Sequence, residues 1–491
     1  MRRGSWCAHA SRPAGRAAGA HPAHRQRLPG AHRGPSAPGC GLPRRGRGDG
    51  LPARRGWRLR PRRHPHAGAG RSFHRHALGQ RRGDGDHPRA PARQRAALGG
   101  AGLPVGRRPA CRPAAPGRAG GGAVKRLVLL GGGHAHVHVL DRLAAERPGG
   151  VEVVLVSPHA RQLYSGMVPG WIAGEYAIEA CALPLAALAA RAGVRFVQQA
   201  ALRLDAGARC LWLADGSTLE WDVLSIDVGS VSRGAELPGA AGYALAVRPL
   251  EGFVARLDAA LQAAAASPHG LAIVGGGAAA VELAFACAAR LRGGGAKGPA
   301  LQLLGAAARP LAGMPAIVQW RAAALLREQG IRWRGHSRVV AIDAQGVRLD
   351  CGSHLPAAQI ILAAGAAAPR WLGEGGLATD AAGFVAVDAC LQSLSHPGVF
   401  AAGDCAALPQ GRPKSGVYAV RAGPPLAENL LRALRGAPLQ AWSPQRRALY
   451  LIRHDDGAAL GAWGALGWWG RWSGRWKRRI DCAFIARFGG G

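Results

Sequence analysis

The feature that most constrains the fold is a glycine-rich turn between a buried strand and a helix, and it occurs twice. In the first copy, the apolar run Lys125–Leu130 is followed by Gly131-Gly132-Gly133-His134-Ala135-His136. A helical pattern continues to Leu143, and Val151–Val156 is typical of a second buried strand. Strand, turn, helix and strand in this order form one βαβ unit.

The second copy starts at the apolar run Leu271–Val274, with Gly275-Gly276-Gly277-Ala278-Ala279-Ala280 as its turn. A helix is predicted over Val281–Leu291 and the next strand over Leu301–Leu304. A single G-x-G-x-x-G motif is a weak signal. Two copies, each between a strand and a helix, predict two dinucleotide-binding sites.

Later strands indicate how the two units are connected. Val223–Ile226 leads towards Gly229, a strand ends on Gly365, and a third runs into Gly403 and Asp404. We therefore predict an α/β fold with two Rossmann-like dinucleotide-binding domains, the second inserted in the first, plus a C-terminal tail. The predicted segments are 124–240 and 366–435 for the outer domain, 241–365 for the inserted domain and 436–491 for the tail.

Each residue of the first fingerprint has a predicted role. Gly131 permits a tight turn, Gly133 allows the backbone to approach a pyrophosphate, and the helix starting near His134 directs its N–H groups at the phosphates. His136 stands at the third glycine and is expected to widen the helix–strand packing. Ser157 replaces the acid that usually contacts the ribose and offers one hydroxyl.

In the second fingerprint, Gly275 and Gly277 have the same predicted roles. The following strand ends at Gly305, where NAD specificity normally requires an acid, and Arg309 is close enough to meet a 2′-phosphate. These two observations do not choose between NADH and NADPH. Glu282 is placed in the first helical turn, where it either interacts favourably with the helix dipole or contacts the nicotinamide or flavin edge.

Gly403 and Asp404 place a carboxylate at a strand end. In an FAD domain such an acid accepts hydrogen bonds from ribityl or ribose hydroxyls. The alternative is a helix N-cap, a position that favours Asp.

Over residues 124–435 these motifs resemble the pyridine nucleotide-disulfide oxidoreductase superfamily. Two further segments are distinctive, namely Tyr164-Ser165-Gly166-Met167-Val168-Pro169-Gly170 and, in the tail, Arg447-Ala448-Leu449-Tyr450-Leu451-Ile452. Within the superfamily, the chain looks like the type II NADH dehydrogenase-like flavoproteins that are associated with selenophosphate synthetase. The resemblance implies FAD in the outer domain, NAD(P)H in the inserted domain and hydride transfer to flavin N5, with the cofactors positioned by the protein.

The resemblance also implies site residues. Those expected to hold FAD are Gly131, Gly133, His134, Ser157, Gly229, Gly403, Asp404 and Tyr418. Those expected to hold the nicotinamide nucleotide are Gly275, Gly277, Gly365 and the catalytic candidate Glu282. The segment around Tyr418 is expected to lie under the flavin ring.

The superfamily's disulfide reductases have a redox cysteine pair in the early FAD-domain helix, and residues 134–146 of this chain contain no cysteine. Electrons are therefore expected to pass directly from flavin to an acceptor. Cys405 is expected to be a small buried residue. The ten cysteines are scattered without metal-ligand spacing, which favours a reducing compartment and predicts no metal site.

The tail from Trp463 onward contains five tryptophans and many basic residues. Starting at Trp469, apolar side chains at Trp472, Trp476, Ile480 and Phe484 recur at helical spacing. One interpretation is a helix that packs this stripe onto the flavin domain or a second subunit. The other is an interfacial amphipathic helix within residues 463–488 on a membrane surface, which suits a quinone acceptor.

Residues 1–123 differ in composition from the rest of the chain. Of the net charge of +36, most lies here, because this segment has 27 arginines against three acids, Asp49, Asp84 and Asp86. It shows no periodicity, so we expect it to be disordered. Three interpretations are open: a basic arm that binds nucleic acid or a membrane, a targeting peptide, or sequence translated upstream of the native start. We favour the third, with a native start near Val124.

The sequence therefore predicts an FAD-dependent NAD(P)H:acceptor oxidoreductase with a quinone as the favoured acceptor. The alternatives are a soluble reductase of a protein or selenium/sulfur acceptor, and a degenerate flavoprotein that senses redox state or binds partners. We expect a cytoplasmic location, with the inner membrane face and a homodimer left open, and no nucleic-acid binding by the folded part. The sequence contains no uninterrupted run of 18 apolar residues, so no transmembrane helix is predicted.

Overall fold

The computed structural model describes residues 124–293, 300–455 and 457–489. The predictions made for residues 1–123 lie outside these ranges. The elements of the outer domain's first part come in the following order: β1 (Lys125–Leu130), α1 (His134–Ala145), β2 (Val151–Val156), β3 (Arg161–Leu163), α2 (Val168–Ile172), β4 (Ala182–Pro184), α3 (Leu185–Ala192), β5 (Arg195–Val197), β6 (Ala201–Asp205), β7 (Cys210–Leu213), β8 (Thr218–Glu220), β9 (Val223–Ile226) and β10 (Val231–Ser232).

The elements of the inner domain follow in the chain. They are α4 (Ala240–Tyr243), β11 (Ala244–Ala246), α5 (Leu250–Ala265), β12 (Leu271–Val274), α6 (Ala278–Arg292), β13 (Leu301–Leu304), α7 (Ala316–Glu328), β14 (Ile331–Arg334), β15 (Val339–Asp343), β16 (Gly346–Leu349), β17 (His354–Pro356) and β18 (Gln359–Leu362).

The chain then returns to the outer domain and ends in a C-terminal unit. The returning elements are β19 (Ala366–Ala367), α8 (Trp371–Glu374), β20 (Val385–Ala386), β21 (Val399–Ala401), β22 (Ala406–Ala407) and α9 (Gly416–Arg435). The C-terminal unit consists of β23 (Leu449–Asp455), β24 (Ala458–Trp463), β25 (Leu466–Gly470) and α10 (Arg471–Gly489).

Two parallel sheets form the two nucleotide domains. The outer sheet has the strand order β5-β2-β1-β9-β21, and the inner sheet has the order β14-β13-β12-β18-β11. Their central strands are apolar and buried on both faces, as parallel sheets covered by helices require. Each sheet is a Rossmann-like arrangement, so the fold-class prediction is confirmed.

The inner domain is inserted between β9 and β21 of the outer sheet. The chain leaves through β10 and returns through β19, and these two strands pair antiparallel, with Val231 opposite Ala367. Each domain contains a short antiparallel meander: β6-β7-β8 precedes β9 in the outer domain, and β15-β16-β17 precedes β18 in the inner domain.

The helix predicted from Trp469 onward is present, but a sheet that was not predicted precedes it. Strands β23, β24 and β25 form an antiparallel sheet, and Trp469 lies on β25 rather than on the helix. Strands β24 and β25 consist largely of Ala, Gly and Trp, so they lack the two-residue apolar alternation that marks a strand, and Ala and Gly have low strand propensity. The helix itself is present, but it begins at Arg471.

The C-terminal unit packs on both nucleotide domains. Ile452 and Leu460 of its sheet belong to the hydrophobic core of the inner domain. Phe488 of α10 is buried in the core of the outer domain. Of the predicted stripe, Phe484 packs against the core of the outer domain, whereas Trp472 and Trp476 do not, because they are 51% and 41% exposed.

Candidate active site

The N-terminus of α1 is capped by a carboxylate from another strand. The helix begins at His134, as predicted, and its N-cap residue Gly133 has no side chain to offer. Asp227, directly after β9, accepts hydrogen bonds from the backbone N–H groups of Ala135 (2.8 Å) and His136 (3.0 Å). A Cβ on Gly133 would overlap this carboxylate, so the side chain that approaches Gly133 belongs to the protein itself.

The first glycine of the same turn is required by backbone geometry. Gly131 has a φ of +97°, and a Cβ there would overlap the carbonyl of Asp227. The sequence motifs alone did not identify Asp227. The signal that identifies it is the acid directly after β9, because the matching position after β18 in the inner domain is an alanine, Ala363.

His136 lies at the third position of the fingerprint and is fully buried between α1 and the sheet. Its Nδ1 is 2.6 Å from the carbonyl oxygen of Gly131, and its Nε2 is 2.8 Å from Ser225 Oγ. Because a carbonyl only accepts, Nδ1 donates and Nε2 accepts from the serine hydroxyl. Burial lowers the pKa of His136 to about 4, so the ring is neutral and holds the turn against the sheet.

His134 presents an unpartnered nitrogen at the start of α1. Its Nδ1 is 3.2 Å from Gln162 Nε2, whereas its buried Nε2 has no hydrogen-bond partner among the described residues. The ring lies beside the stacked pair Tyr164 and Phe484, with centroid distances of 5.6 and 5.8 Å. Burial lowers the pKa of His134 to about 4, with smaller opposing effects from Asp404 and Arg248. An orphaned polar atom of this kind fits a site that receives a polar ligand.

Asp404 lies in a short 3-10 turn, Gly403–Cys405, rather than at the start of an α-helix. The N-cap alternative is therefore wrong. Its Oδ2 lies 2.5 Å from Arg248 Nη1, and Arg248 also donates to Ser230 Oγ. Gly403 has a φ of +68°, and a Cβ there would overlap Oδ1 of Asp227.

The remaining outer-domain candidates differ in accessibility. The hydroxyl of Ser157 is buried and bonds locally to the backbone of His159. Gly229 has a φ of +74° and no atom near the position of a Cβ. Tyr418 lies in the first turn of α9 and is 6% exposed. The space at Gly229 thus borders the site, whereas Ser157 and Tyr418 are held within the protein.

The second nucleotide site has an open helix N-terminus. Gly275 has a φ of +146°, and a Cβ there would overlap the carbonyl of Ala363. Gly277 is the N-cap of α6, and no atom lies within 4 Å of the position of its Cβ. Gly365 is equally open, with a φ of +109°. The free N–H groups and dipole of α6 suit a pyrophosphate.

An indole covers the ribose end of the second site. A Cβ on Gly305 would overlap the ring of Trp333, whose Nε1 donates to the carbonyl of Ala308 at 3.0 Å. The strand end that usually bears an acid is thus a glycine under an aromatic ring. Arg309 lies 4.0 Å over the ring of Trp320, so its guanidinium is held at the surface beside this end of the site.

Glu282 is not in the first turn of α6, and that prediction was wrong. The helix begins at Ala278, three residues earlier than predicted, which places Glu282 in the second turn. A helix dipole acts mainly within the first turn, so the dipole interpretation loses its basis. Glu282 Oε1 instead accepts from the backbone N–H of Arg453 at 2.9 Å.

A buried ionic cluster surrounds Glu282. Lys477 of α10 places its Nζ 3.7 Å from Glu282 Oε1, 3.2 Å from Asp481 Oδ2 and 2.9 Å from the carbonyl oxygen of Gly166. Burial raises the pKa of Tyr164, and the charge of nearby Asp481 raises it further. We call Glu282, Lys477, Asp481 and Tyr164 the Lys477 cluster. It joins the inner domain, α10 and the Tyr164–Gly170 segment of the outer domain.

Burial controls the protonation of the Lys477 cluster. The side chains of Glu282, Lys477 and Asp481 are 12%, 13% and 7% exposed. Burial raises the pKa of Glu282, and the nearby charge of Lys477 opposes this shift. Burial lowers the pKa of Lys477, but the two carboxylates outweigh it and raise the pKa overall. Burial and the neighbouring charges therefore shift the pKa values of Glu282 and Lys477 upward, towards the protonated form of each group.

Two buried cysteines near the outer site are free thiols. Cys405, in the Gly403–Cys405 turn, is fully buried, and Cys181 lies after the Tyr164–Gly170 segment. Burial raises the pKa of each to about 12. A thiol with such a pKa is a poor nucleophile at neutral pH, as expected for a small buried residue.

The arrangement defines a class of protein: an oxidoreductase with two dinucleotide sites on nested Rossmann domains. Residues 125–423 match the pyridine nucleotide-disulphide oxidoreductase family, and the chain belongs to that family. It is an enzyme of the pyridine nucleotide-dependent flavoprotein oxidoreductases.

Relatives are consistent with this membership. An NADH dehydrogenase-like protein of Mycobacterium tuberculosis is 30% identical over 341 residues, which are 64% of this chain and 82% of that protein. The demethylphylloquinone reductase NdbB of Synechocystis sp. is 28% identical over 358 residues, with 69% and 87% covered. The structure of NDH2 from Plasmodium falciparum in complex with NADH has a TM-score of 0.62 at 12% identity and covers 74% of this chain and 99% of that one.

The residues present fit the cofactors of this family, FAD and a nicotinamide nucleotide. The open turn of α6 at Gly277 has the space and the N–H groups that a pyrophosphate needs. At the outer site, His134 Nε2 is an unpartnered buried polar atom and Gly229 borders free space. Among the described residues, no helix is long and apolar enough to cross a membrane.

Proposed function

We propose that this protein transfers electrons from NADH or NADPH, through FAD, to a quinone at a membrane surface. The observation that carries the proposal is the position of α10. One face of this helix brings Lys477 and Asp481 to Glu282. The other face exposes Trp472 and Trp476, so the same helix connects the site to an exposed apolar surface that suits contact with lipid.

The assignment of the cofactors follows the two helix N-termini. α1, with His134 and the Gly403–Asp404 turn beside it, holds FAD in the outer domain, and Gly229 gives the ligand room. α6 holds the nicotinamide nucleotide through Gly275, Gly277 and the open strand end at Gly365. FAD, when bound, accepts a hydride and returns electrons singly or in pairs, and the protein supplies position and electrostatics.

The state of the thiols supports direct transfer from flavin to acceptor. α1 contains no cysteine, and Cys181 and Cys405 are buried with pKa values raised to about 12. A relay through a dithiol needs a reactive thiolate near the flavin. The electron path in the proposal therefore involves no cysteine.

The Lys477 cluster has a role in handling protons. Reduction of a quinone consumes protons as well as electrons. Burial raises the pKa of Glu282, which lies beside Lys477 and Asp481 at the junction of both domains. We assign the cluster to holding and delivering a proton next to the acceptor, with Glu282 as the residue nearest the nicotinamide nucleotide.

An exposed apolar surface supports the membrane location. We call its members the tryptophan face: they are Trp463, Leu466, Trp469, Trp472, Trp476 and Ile480, each at least 40% exposed. The rings of Trp468, Trp472 and Trp476 stack with centroid distances of 6.0 to 6.5 Å. Exposed basic residues flank the face, namely Arg471, Arg475, Arg478 and Arg479. Indole rings at headgroup depth with arginines against anionic lipid are typical of interfacial helices.

A comparison of acceptors tests the proposal. The purified full chain is reconstituted with FAD and assayed with NADH and NADPH against a short-chain quinone and against a small disulfide. We expect turnover with the quinone and none with the disulfide, and the doubly substituted Cys181→Ala/Cys405→Ala protein should retain quinone turnover. Turnover with the disulfide alone, lost in the cysteine variant, would refute the proposed acceptor class.

A further inference from the structure

Three motif glycines of the outer site converge on the side chain or carbonyl of Asp227. Its carboxylate is 3% exposed, and its Oδ2 accepts the N–H groups of Ala135 and His136. A Cβ on Gly133 or Gly403 would overlap the carboxylate. Asp227 therefore fills the space between the phosphate-binding turn and the Gly403–Asp404 turn.

The inner domain provides an internal comparison. In the outer sheet, Leu130 of β1 pairs with Ile226 of β9, and the N–H of Asp227 donates to Leu130 at 2.8 Å. In the inner sheet, Val274 pairs with Leu362, and the N–H of Ala363 donates to Val274 at 2.8 Å. Asp227 and Ala363 thus occupy the same place in two copies of one unit, and only the outer copy has a carboxylate.

An ionised Asp227 competes with a pyrophosphate in two ways. It occupies N–H groups at N2 and N3 of α1, and it adds a negative charge at the positive end of the helix dipole. Two like charges a few ångströms apart in a site shielded from water repel strongly. A protonated Asp227 still accepts from Ala135 and His136 through one oxygen, but it does not repel the phosphates.

We propose that Asp227 is a positioning residue that couples FAD binding to the uptake of one proton: FAD binds tightly to the form in which Asp227 is protonated. The proposal rests on FAD being the ligand of the outer domain, as argued under the proposed function. It goes beyond the proposed function, because it makes the retention of FAD depend on pH through Asp227. This residue contacts the phosphate-binding turn and not the reacting atoms.

The groups around Asp227 support this coupling. Burial raises the pKa of Asp227 to about 7, against the two backbone N–H bonds, and the charge of Asp404 raises it further. Asp404 is paired with Arg248, the ring of His136 is neutral, and Cys405 is a thiol with a raised pKa. Lys414, which acts on Cys405, has its own pKa lowered by burial. Of the two carboxyl groups, Asp227 is the one that accepts hydrogen bonds from the N-terminus of α1.

The sign of the effect follows from linkage. A bound pyrophosphate raises the pKa of Asp227 above its value in the FAD-free protein. FAD affinity is therefore highest below about pH 7 and falls as pH rises, by up to about tenfold per pH unit, until the pKa of the FAD-bound form is passed.

The test measures the FAD dissociation constant of the full-length apoprotein between about pH 6 and pH 9, by quenching of flavin fluorescence. The unaltered chain should bind FAD at least tenfold more weakly at the high end. Asp227→Asn, whose amide oxygen still accepts both N–H groups, should bind as tightly as the unaltered chain at low pH and show no slope. Asp222→Asn, at the other end of β9, is the matched control and should keep the slope.

A second measurement needs no variant. Calorimetry of FAD binding in two buffers of different ionisation enthalpy should show uptake of close to one proton near pH 8. A dissociation constant that is flat with pH, an unchanged slope in Asp227→Asn, or no proton uptake would each overturn the proposal while leaving FAD binding intact. Failure of the unaltered chain to bind FAD at every pH would instead overturn the proposed function, and this inference with it.

Discussion

Nζ of Lys477, on the last helix, lies 3.7 Å from Oε1 of Glu282, on the phosphate-binding helix of the inner domain. Both side chains are nearly buried, at 13% and 12% exposed. The two residues are far apart in sequence and belong to elements that the fingerprint alone does not connect. The contact means that the C-terminal unit contributes residues to the candidate active site.

Lys477→Met should destabilise the protein because it leaves Glu282 and Asp481 buried without a cation. Removal of one partner from a buried pair costs about 3 to 5 kcal/mol, and the loss should shrink at low pH, where the carboxyl groups are protonated. Urea unfolding at neutral and acidic pH measures both effects. The control is Arg479→Met on the exposed face of α10, and equal losses in the two variants would contradict the account.

Phe488→Ala should detach the end of α10 from the outer domain. Phe488 is 1% exposed, and its ring contacts His138 at a centroid distance of 4.7 Å. Truncation of a buried Phe costs about 3 to 5 kcal/mol. Ile480→Ala, on the exposed side of the same helix, should change the unfolding free energy by about 0.5 kcal/mol or less. A small loss at Phe488 would show that the helix does not dock as described.

The stability of the protein should fall on acidification because of His136. Burial lowers its pKa to about 4, from 6.5 in the unfolded chain, so the unfolded state binds more protons between these values. The free energy of unfolding should therefore rise with pH across this window, by about 1.4 kcal/mol per pH unit from this residue. His136→Gln should reduce the slope, whereas His269→Gln on an exposed loop should not. An unchanged slope in His136→Gln would contradict the assigned neutral state.

The tryptophan face should bind anionic vesicles. The double variant Trp472→Ser/Trp476→Ser should lower the partition into phosphatidylglycerol vesicles by at least about tenfold, because two indoles are lost from the interface. Binding by the unaltered chain should also weaken at high salt, since the flanking arginines act through screened charge. Trp320→Ser, an exposed indole on the inner domain, is the control in the same cosedimentation assay. Equal binding of the double variant and the control would remove the membrane surface from the proposed function.

The parts of the fold with strong local signals were predictable from the sequence. The strands Lys125–Leu130, Val151–Val156 and Leu271–Val274 are long apolar runs next to glycine-rich turns, and the structure places them as predicted. The nesting of the domains also followed, because each unit needs a later strand to complete its sheet.

The C-terminal sheet and Asp227 were not found, for different physical reasons. In β24 and β25 the strand pattern is hidden by Ala and Gly, whose strand propensity is low, and the sheet is stabilised by packing on the inner domain. Asp227 caps a helix that starts 93 positions before it, and such a contact depends on strand pairing rather than on local sequence. Glu282 was placed one turn too early because an alanine run gives no signal for a helix start.

The proposed function requires one chain to bind FAD and a nicotinamide nucleotide and to pass electrons from the nicotinamide nucleotide, through FAD, to a quinone. Anaerobic stopped-flow spectroscopy of the FAD-loaded full chain tests it most directly. Mixing with NADH or NADPH should bleach the flavin absorbance, and a second mixing with a quinone should restore it at a rate sufficient for turnover. A protein that takes up no flavin, or a flavin that neither nucleotide reduces, would contradict the claim.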